Sequence, residues 1–190
     1  MKFFKCLNCG SNAVDEIILG NKISYKCYTC GRVSRQAFSL DSRLRIDLTK
    51  NGEPYHHLGG LVIRNEKKQI LLSKRRIFPI AWAVIFGHVH NGEDSYSTVI
   101  RELMEETGIK LKYARLIFKK MAPNPCRTGI KKHLIRAYEI MLKSTAQLIP
   151  NNELEEIRWV DIADIKKGKY KPLSPGTKFI FKELGTINGK

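Results

Sequence analysis

The pattern of hydrophobic and polar positions predicts several strands on either side of one helical segment. Residues 57–65 and 69–74 form two largely apolar runs around a polar turn, and residues 134–142 alternate between apolar and polar positions. Runs of this length, bounded by polar residues, are typical of strands. Two shorter runs near the N-terminus, residues 16–19 and 22–25, are predicted strands of a smaller unit.

The spacing changes to a helical one after residue 94. Less polar side chains recur there every three or four positions, as expected for one face of a helix. They are Tyr96, Val99, Ile100, Leu103 and Thr107. Asp94 can cap the first turn, and Gly108 stands where a helix end favours a left-handed residue. A shorter helical run is predicted over residues 178–184, after two prolines.

Three carboxylates lie on the other side of the predicted helix. Glu102, Glu105 and Glu106 are spaced so that, at about 100° per residue, they share an arc of roughly 100°. Like charges at this spacing repel each other and destabilise the helix, and a bound divalent cation would offset this repulsion. Hard oxygen ligands favour Mg²⁺ or Mn²⁺. The alternative is a solvated acidic face, but the chain has 34 Lys and Arg against 18 Asp and Glu, so an acidic cluster stands out.

Residues 87–109, GHVHNGEDSYSTVIRELMEETGI, match the pattern G-x5-E-x7-R-E-U-x-E-E-x-G-U at every specified position, where U is aliphatic. This segment resembles the signature of the Nudix hydrolase family. The resemblance implies an α+β, α-β-α fold with a mixed β-sheet between helices. It also implies an enzyme that cleaves a phosphoanhydride in a nucleoside diphosphate linked to another group.

By the same resemblance, a catalytic Mg²⁺ or Mn²⁺ is expected to bind at this segment. The expected ligands are the Gly87 carbonyl and the carboxylates of Glu102, Glu105 and Glu106. Glu102 or a loop glutamate would act as the base toward water. The family pairs the arginine, here Arg101, with the first glutamate, here Glu93, to hold the loop on the helix.

Residues 153–164 resemble a late E-x5-W-V segment of the family that leads into a helix. In some members the glutamate six residues before the tryptophan is a further metal ligand, and Glu153 has this spacing from Trp159. A solvent-facing loop acid is the alternative for Glu153. Glu156 and Glu139 are weaker candidates for the same role.

Basic and histidine residues near the signature are candidates for substrate contact. Lys74, Arg75 and Arg76 follow a predicted strand and are expected to reach substrate phosphates. His88 and His90 lie within the signature loop, where His90 replaces an acid that many members carry, and they are interpreted as ordinary polar residues. His56 and His57 have no third partner visible in the sequence, so they are given no metal role.

Four cysteines near the N-terminus have the spacing of a zinc ribbon. Cys6 and Cys9 form one C-x2-C pair, and Cys27 and Cys30 form a second pair after 17 residues. This spacing indicates a four-thiolate Zn²⁺ site, which is structural because it has no open position. Two disulfides are the competing interpretation, but no secretion signal precedes the cysteines. Cys126 is left over and is predicted to be a plain thiol.

The ribbon is basic and carries aromatic residues that could stack on bases. These basic and aromatic residues are Lys2, Lys5, Lys22, Lys26, Arg32 and Arg35, with Phe3, Phe4, Tyr25 and Tyr28. Contact with RNA or DNA is therefore one expectation, and aromatic packing around the metal is the other. The formal net charge of the chain is +16, which attracts polyphosphates.

We divide the chain into a zinc ribbon (1–38), a connector (39–55) and a Nudix domain (56–190). No run approaches the roughly 20 apolar residues of a membrane span, and unpaired thiols favour a cytoplasmic location. A ribbon before a Nudix domain is similar to the layout of the NADH pyrophosphatase group. However, residues 121–127 lack the Trp and Phe of that group's downstream S-Q-P-W-P-F-P-x-S segment.

The sequence therefore predicts a metal-dependent Nudix pyrophosphohydrolase acting on an NTP or dNTP, ADP-ribose, NAD(H) or a dinucleoside polyphosphate. Two alternatives stay open: an RNA-binding or regulatory, ligand-sensing protein on the same scaffold, and an enzyme that decaps RNA 5′ ends. The intact signature argues against the isopentenyl diphosphate isomerases, which share the fold. A homodimer is also left open.

Overall fold

The structure, a computed structural model, describes residues 2–35, 37–41, 43–77, 79–123 and 130–187. The N-terminal strands form two small antiparallel sheets, one with the order β2-β3-β4 and one that pairs β1 with β5. The strands are β1 (Lys2–Lys5), β2 (Val14–Leu19), β3 (Lys22–Cys27), β4 (Val33–Ser34) and β5 (Phe38–Asp41). The two strands predicted for this unit are confirmed as parts of β2 and β3.

The remaining strands form one mixed sheet in the described part of the chain. They are β6 (Ile46–Leu48), β7 (Pro54–Arg64), β8 (Ile70–Arg75), β9 (Trp82–Ala83), β10 (Ile85–His88), β11 (Arg115–Ala122), β12 (Lys132–Met141) and β13 (Leu154–Val160). The helices are α1 (Ser95–Thr107), α2 (Ile162–Lys166) and α3 (Pro175–Glu183). The main strand order is β11-β12-β7-β8-β13, in which β7 and β12 are parallel.

The long strand β7 is the centre of this sheet. Besides β12 and β8 it pairs with β6 and β10, and its residues 56–63 are all buried. A strand covered on both faces becomes a continuous apolar run rather than an alternating one. This explains why the stretch LGGLVI, residues 58–63, has no polar side chain on either face.

Helices cover both faces of the sheet. A Cβ on Gly59 would lie 2.8 Å from Val99 Cγ1, so this face of β7 is packed against α1. A Cβ on Gly60 would lie 2.7 Å from Ile180 Cδ1 of α3, so the next residue faces the other layer. The predicted mixed β-sheet between helices is confirmed.

Helix α1 begins and ends where the sequence predicts. Asp94 is its N-cap and accepts a hydrogen bond from the Ser97 amide at 2.7 Å. Gly108 ends the helix in the left-handed region, with φ 75°, and its amide donates to the Met104 carbonyl. Because both ends are fixed, the glutamates of the helix have a defined position relative to the preceding loop.

The predicted connector, residues 39–55, contains strand residues that pair with the N-terminal unit on one side and with the large sheet on the other. Strand β5 pairs with β1 of the N-terminal unit, and β6 pairs with β7 of the large sheet. Between them the Arg45 amide donates to the Val89 carbonyl, and the Asn91 amide donates to the Arg43 carbonyl. These contacts tie the stretch to the loop before α1, so the three-part division of the chain stays a proposal.

The helices after the sheet are short. Helix α3 begins at Pro175, earlier than the predicted residue 178, because Ser174 caps it by accepting from the Thr177 amide. None of the described helices has the length and apolar character needed to cross a membrane.

Candidate active site

Arg101 connects the signature loop to the signature helix. Its Nε donates to Glu93 Oε1 at 3.0 Å, and its Nη1 donates to Glu102 Oε1 at 2.7 Å and to Glu105 Oε2 at 3.1 Å. Nη2 also lies 3.4 Å from the His88 carbonyl oxygen, to which it donates. The expected ion pair between Arg101 and Glu93 is present, and one guanidinium positions three carboxylates.

Glu93 is one of the three carboxylates that Arg101 holds in place. Its carboxylate accepts from Arg101, from the His90 amide at 3.2 Å and from the Thr98 hydroxyl at 2.9 Å. Burial acts to raise the pKa of Glu93, but these hydrogen bonds outweigh it and lower the pKa below its usual value. Glu93 is therefore a charged anchor whose oxygens are already occupied within the loop.

Gly87 lets a carboxylate approach the backbone of β10. A Cβ at this position would lie 2.2 Å from Glu102 Oε1 and 2.4 Å from Glu102 Cδ, distances that no real side chain tolerates. A side chain at residue 87 would displace Glu102, so the glycine is what allows Glu102 to lie against β10.

Glu106, which is buried, and Glu102, which is half-buried, form the inner part of the acidic cluster. Burial is the main cause of the raised pKa of both groups, and neighbouring carboxylates add to it. The pKa of Glu106, which is only 6% exposed, reaches about 8 although the charge of Arg75 opposes the shift. Glu105 is the exposed member, with a side chain 53% accessible.

Glu153 lies close enough for its charge to act on this cluster. It raises the pKa of both Glu102 and Glu106 from the turn that precedes β13. Its carbonyl accepts from the Arg76 amide at 2.8 Å, which holds the turn against the end of β8. Glu153 is distant from helix α1 in sequence, but its charge acts on the same two carboxylates as the charges of the helix itself.

The donor set fits a hard divalent cation. Glu102, Glu105 and Glu153 lie close enough to Glu106 for their charges to add to the effect of burial in raising its pKa, so the cluster carries an electrostatic cost. A divalent ion bound by oxygen ligands would offset this repulsion. The residues that would hold it are the Gly87 carbonyl, Glu102, Glu105, Glu106 and Glu153.

The two weaker candidates for a metal ligand are engaged elsewhere. Glu139 accepts from Arg64 at 2.7 Å and from Arg115 at 2.6 Å, across three strands of the sheet. Glu156 forms an ion pair with Arg158 on its own strand. Both carboxylates act in the sheet, so neither is assigned to the metal.

The three basic candidates at the end of β8 have different surroundings. Lys74 donates to Glu155 at 2.8 Å. Arg76 is exposed, whereas Arg75 is half-buried and its charge acts on both Glu106 and His88. The Nε of Arg75 is buried and, within the described residues, has no hydrogen-bond partner. Arg75 is therefore the basic residue placed beside the acidic cluster.

The four N-terminal cysteines come together as one cluster, with all four sulfurs within 4.8 Å of one another. Cys6 Sγ lies 3.7 Å from Cys30 Sγ, and Cys9 Sγ lies 3.6 Å from Cys27 Sγ. Zinc–sulfur bonds of about 2.3 Å in a tetrahedron place sulfurs about 3.8 Å apart, whereas a disulfide requires about 2.05 Å. All four thiols are free, so the geometry fits a zinc ribbon and not the disulfide alternative.

The aromatic residues of this unit divide between its core and its surface. Tyr25 is buried at 4% exposure, and its ring lies 5.1 Å from that of Phe4. Tyr28 is 58% exposed, with Lys26 Nζ 5.3 Å from its ring centroid. Tyr25 thus packs in the core of this unit and the partly buried Phe4 packs against it, as the second expectation has it, whereas Tyr28 is exposed.

Sequence reasoning missed one cluster entirely. His56, His88 and His133 lie together in the sheet, although no third partner for His56 is visible in the sequence. No local spacing marks this cluster, because the three residues come from three different strands. Cys126, predicted to be a plain thiol, lies outside the described residues, as does most of the segment 121–127.

A family model described as the NUDIX domain matches residues 56–180. This match covers most of the large sheet, helices α1 and α2 and the first part of α3, and it includes the acidic cluster and Arg101. The chain belongs to the Nudix family.

Similarity to individual proteins is more limited. The chain is 39% identical over 57 residues to Nudix hydrolase 26, chloroplastic, of Arabidopsis thaliana. The aligned residues are 30% of this chain and 26% of that protein. It is 28% identical over 112 residues to the isopentenyl-diphosphate Delta-isomerase of Shigella flexneri. This alignment covers 55% of this chain and 60% of the isomerase. The chain thus spans less than two thirds of the length of these relatives.

Among solved structures, the MutT protein from Methanosarcina mazei Go1 superposes with a TM-score of 0.56 at 25% sequence identity. The superposition covers 70% of this chain and 93% of that one. The fold of residues outside the N-terminal unit is thus the fold of this family.

Proposed function

We propose that the chain is a Nudix pyrophosphohydrolase that uses Mg²⁺ or Mn²⁺ to cleave a phosphoanhydride in a nucleoside diphosphate linked to another group. The observation that carries the proposal is the buried acidic cluster. Glu106 is almost inaccessible, its pKa is about 8, and Glu102, Glu105 and Glu153 all raise it. A fold that stored this repulsion without a use for it would be more stable with neutral side chains.

The residues have separate roles in this proposal. The ion would be held by the Gly87 carbonyl and by the carboxylates of Glu102, Glu105, Glu106 and Glu153. When bound, it would supply Lewis-acid chemistry, which polarises a phosphate and lowers the pKa of water. Glu102 or another carboxylate of the cluster accepts the proton of the attacking water.

The basic side chains act on the substrate and on the cluster itself. Arg101 keeps the carboxylates in place through its bonds to Glu93, Glu102 and Glu105. Arg75 is placed to meet a phosphate beside the ion. Arg76 is accessible for the same purpose, whereas Lys74 must first leave Glu155.

The N-terminal unit is proposed to bind a structural Zn²⁺ through Cys6, Cys9, Cys27 and Cys30. Its small core, formed around Val14 and the Phe4–Tyr25 pair, is too limited to stabilise it alone. Metal binding would then supply folding free energy. Contact with RNA through this basic unit is a weaker proposal, which rests on Tyr28 and the surrounding lysines and arginines.

Product analysis tests the proposed reaction. The full chain with Mg²⁺ is offered NTPs, dNTPs, ADP-ribose, NAD⁺, NADH and dinucleoside polyphosphates in heavy-oxygen-labelled water, with metal omitted as the control. Metal-dependent release of a mononucleotide, with label in a phosphate of one product, is the expected result. The preferred substrate then defines the specificity.

Two additions to the panel test the alternatives. A 5′-capped or triphosphorylated RNA tests decapping, and RNA binding without turnover would favour the binding-protein alternative. Isopentenyl diphosphate tests whether this chain has the activity of the isomerase to which it is similar. Isomerisation of that compound, with every nucleotide left intact, would overturn the proposed hydrolase.

A further inference from the structure

Strand pairing brings three histidines to one place on the sheet. His133 of β12 is directly opposite His56 of the parallel strand β7. His88 of β10 is opposite Leu58, which is two residues after His56 and therefore on the same face of β7. All three rings consequently point to the face covered by α3, away from helix α1.

The three imidazole rings are in contact. The centroid of the His56 ring lies 4.9 Å from that of His88 and 5.5 Å from that of His133, and the last two are 5.8 Å apart. One ring nitrogen of each residue lies within 4.8 Å of the corresponding nitrogens of the other two. Zinc–nitrogen bonds of about 2.1 Å require tetrahedral nitrogens about 3.4 Å apart, so small ring rotations bring them into range.

The three imidazoles are largely shielded from solvent. His56 and His133 are buried, and the Nε2 of His88 is buried and makes no hydrogen bond within the described residues. A neutral imidazole carries one nitrogen lone pair, which is the group that binds a metal ion.

We propose that His56, His88 and His133 form a second metal site, which binds Zn²⁺ or a related first-row transition metal through three imidazole nitrogens. Imidazole favours zinc, iron, nickel and copper, whereas magnesium prefers oxygen ligands. The site therefore differs in chemistry from the carboxylate cluster on α1. It also differs from the ribbon site, because three protein ligands leave a fourth position for water or another oxygen ligand.

Charged residues around the histidines indicate where the site lies relative to the acidic cluster. The buried carboxylate of Asp41 acts on His56 and partly opposes the lowering of its pKa. The charge of Arg75 acts on His88, and it also acts on Glu106. The two proposed metal sites thus share Arg75 as a neighbour.

Zinc content of the full chain tests the proposal without any assay of turnover. After zinc loading and desalting, we expect about two zinc ions per chain, one at the cysteines and one at the histidines. The His88→Gln variant is expected to retain about one zinc ion. The matched control is His57→Gln, since His57 is also buried but lies on the opposite face of β7, where it bonds to Asp47 at 2.7 Å.

The result that overturns the proposal is a wild-type chain that binds zinc only at its cysteines, or a His88→Gln variant that binds as much as wild type. Because a buried histidine variant can fail to fold, a second measurement uses the unaltered chain. Anomalous diffraction at the zinc edge should show a peak among the three imidazole rings. A zinc-loaded crystal with a peak at the ribbon alone would contradict the site.

Discussion

Gly87 shows how a single residue controls the acidic cluster. Its lack of a side chain lets Glu102 lie against β10, and Arg101 then holds Glu102 from the other side. Because Glu106 is one helical turn further along α1, the position of Glu102 also determines how closely the two carboxylates approach each other. Burial is the main cause of the raised pKa of Glu106, and the charge of Glu102 adds to it.

The Gly87→Ala variant is expected to lose metal-dependent turnover. The added Cβ would meet Glu102 at 2.2 Å, so the carboxylate must move by an ångström or more. A displacement of about this size costs roughly 100-fold in rate. Turnover is measured together with thermal unfolding, so that loss of rate is separated from loss of fold.

Gly92→Ala is the matched control in the same loop. No atom lies within 4 Å of a Cβ at Gly92, whose φ is +80°. This substitution should cost about 1 kcal/mol of stability through backbone strain and leave the rate nearly unchanged. Equal losses of rate in the two variants would show that loop strain, and not displacement of Glu102, is responsible.

At the level of elements, the sheet acts as a frame that aligns residues from distant parts of the chain. Glu139 of β12 bonds to Arg64 of β7 and to Arg115 of β11, which fixes the register of three strands. The same pairing of β7 with β12 places His133 beside His56. A change in register would therefore disrupt both the ion-pair network and the histidine cluster.

The Glu139→Gln variant is expected to lower stability in a pH-dependent way. Burial acts to raise the pKa of Glu139, but Arg64 and Arg115 lower it below its usual value of 4.5. A depressed pKa stabilises the folded state above the unfolded-state pKa, and this contribution is lost as pH falls through the folded-state pKa. We expect a loss of about 1 kcal/mol at neutral pH that fades toward strongly acidic pH.

Denaturant unfolding at a series of pH values measures this difference. Glu155→Gln is the control, because its partner Lys74 is on the surface and such pairs contribute less than about 0.5 kcal/mol. A difference between wild type and Glu139→Gln that stays constant from neutral to acidic pH would contradict the assigned ion pairs.

The sequence predicts those elements whose determinants are local. The caps of α1, the two cysteine pairs and the strands around residues 65–69 each depend on neighbours within a few positions, and the structure contains them all. The histidine cluster depends on the register of β10 and β12 against β7, which no local pattern encodes. For the same reason, the pairing of Lys74 with Glu155 and the burial of Tyr25 could not be predicted from sequence.

The whole molecule combines a small N-terminal unit, for which we propose a structural zinc ion, with a larger part that has its own core. The N-terminal core is limited to a few side chains around Val14, Tyr25 and Cys27. The large sheet has two extensive clusters, one on each face, centred on Leu72 and Leu103. The two parts are therefore expected to respond differently to the removal of zinc.

The Cys30→Ser variant is expected to reduce zinc content by about one ion per chain and to unfold the N-terminal unit. Metal-dependent turnover by the larger domain should persist. Zinc analysis and limited proteolysis check this prediction, with Cys126→Ser as a control that should retain the ribbon's zinc. Unchanged zinc content in Cys30→Ser would rule out the four-cysteine site.

The most direct test of the central claim compares Mg²⁺-dependent hydrolysis of the preferred nucleotide by wild type, Glu106→Gln and Glu66→Gln. Glu66 is an exposed acid in the turn between β7 and β8, where it bonds to Ser144. Loss of groups that only support metal ligands already costs roughly 10- to 100-fold, so we expect Glu106→Gln to fall by at least about 100-fold. Glu66→Gln should match wild type, and a Glu106→Gln variant with the wild-type rate would contradict the assignment of the buried carboxylates to the catalytic metal.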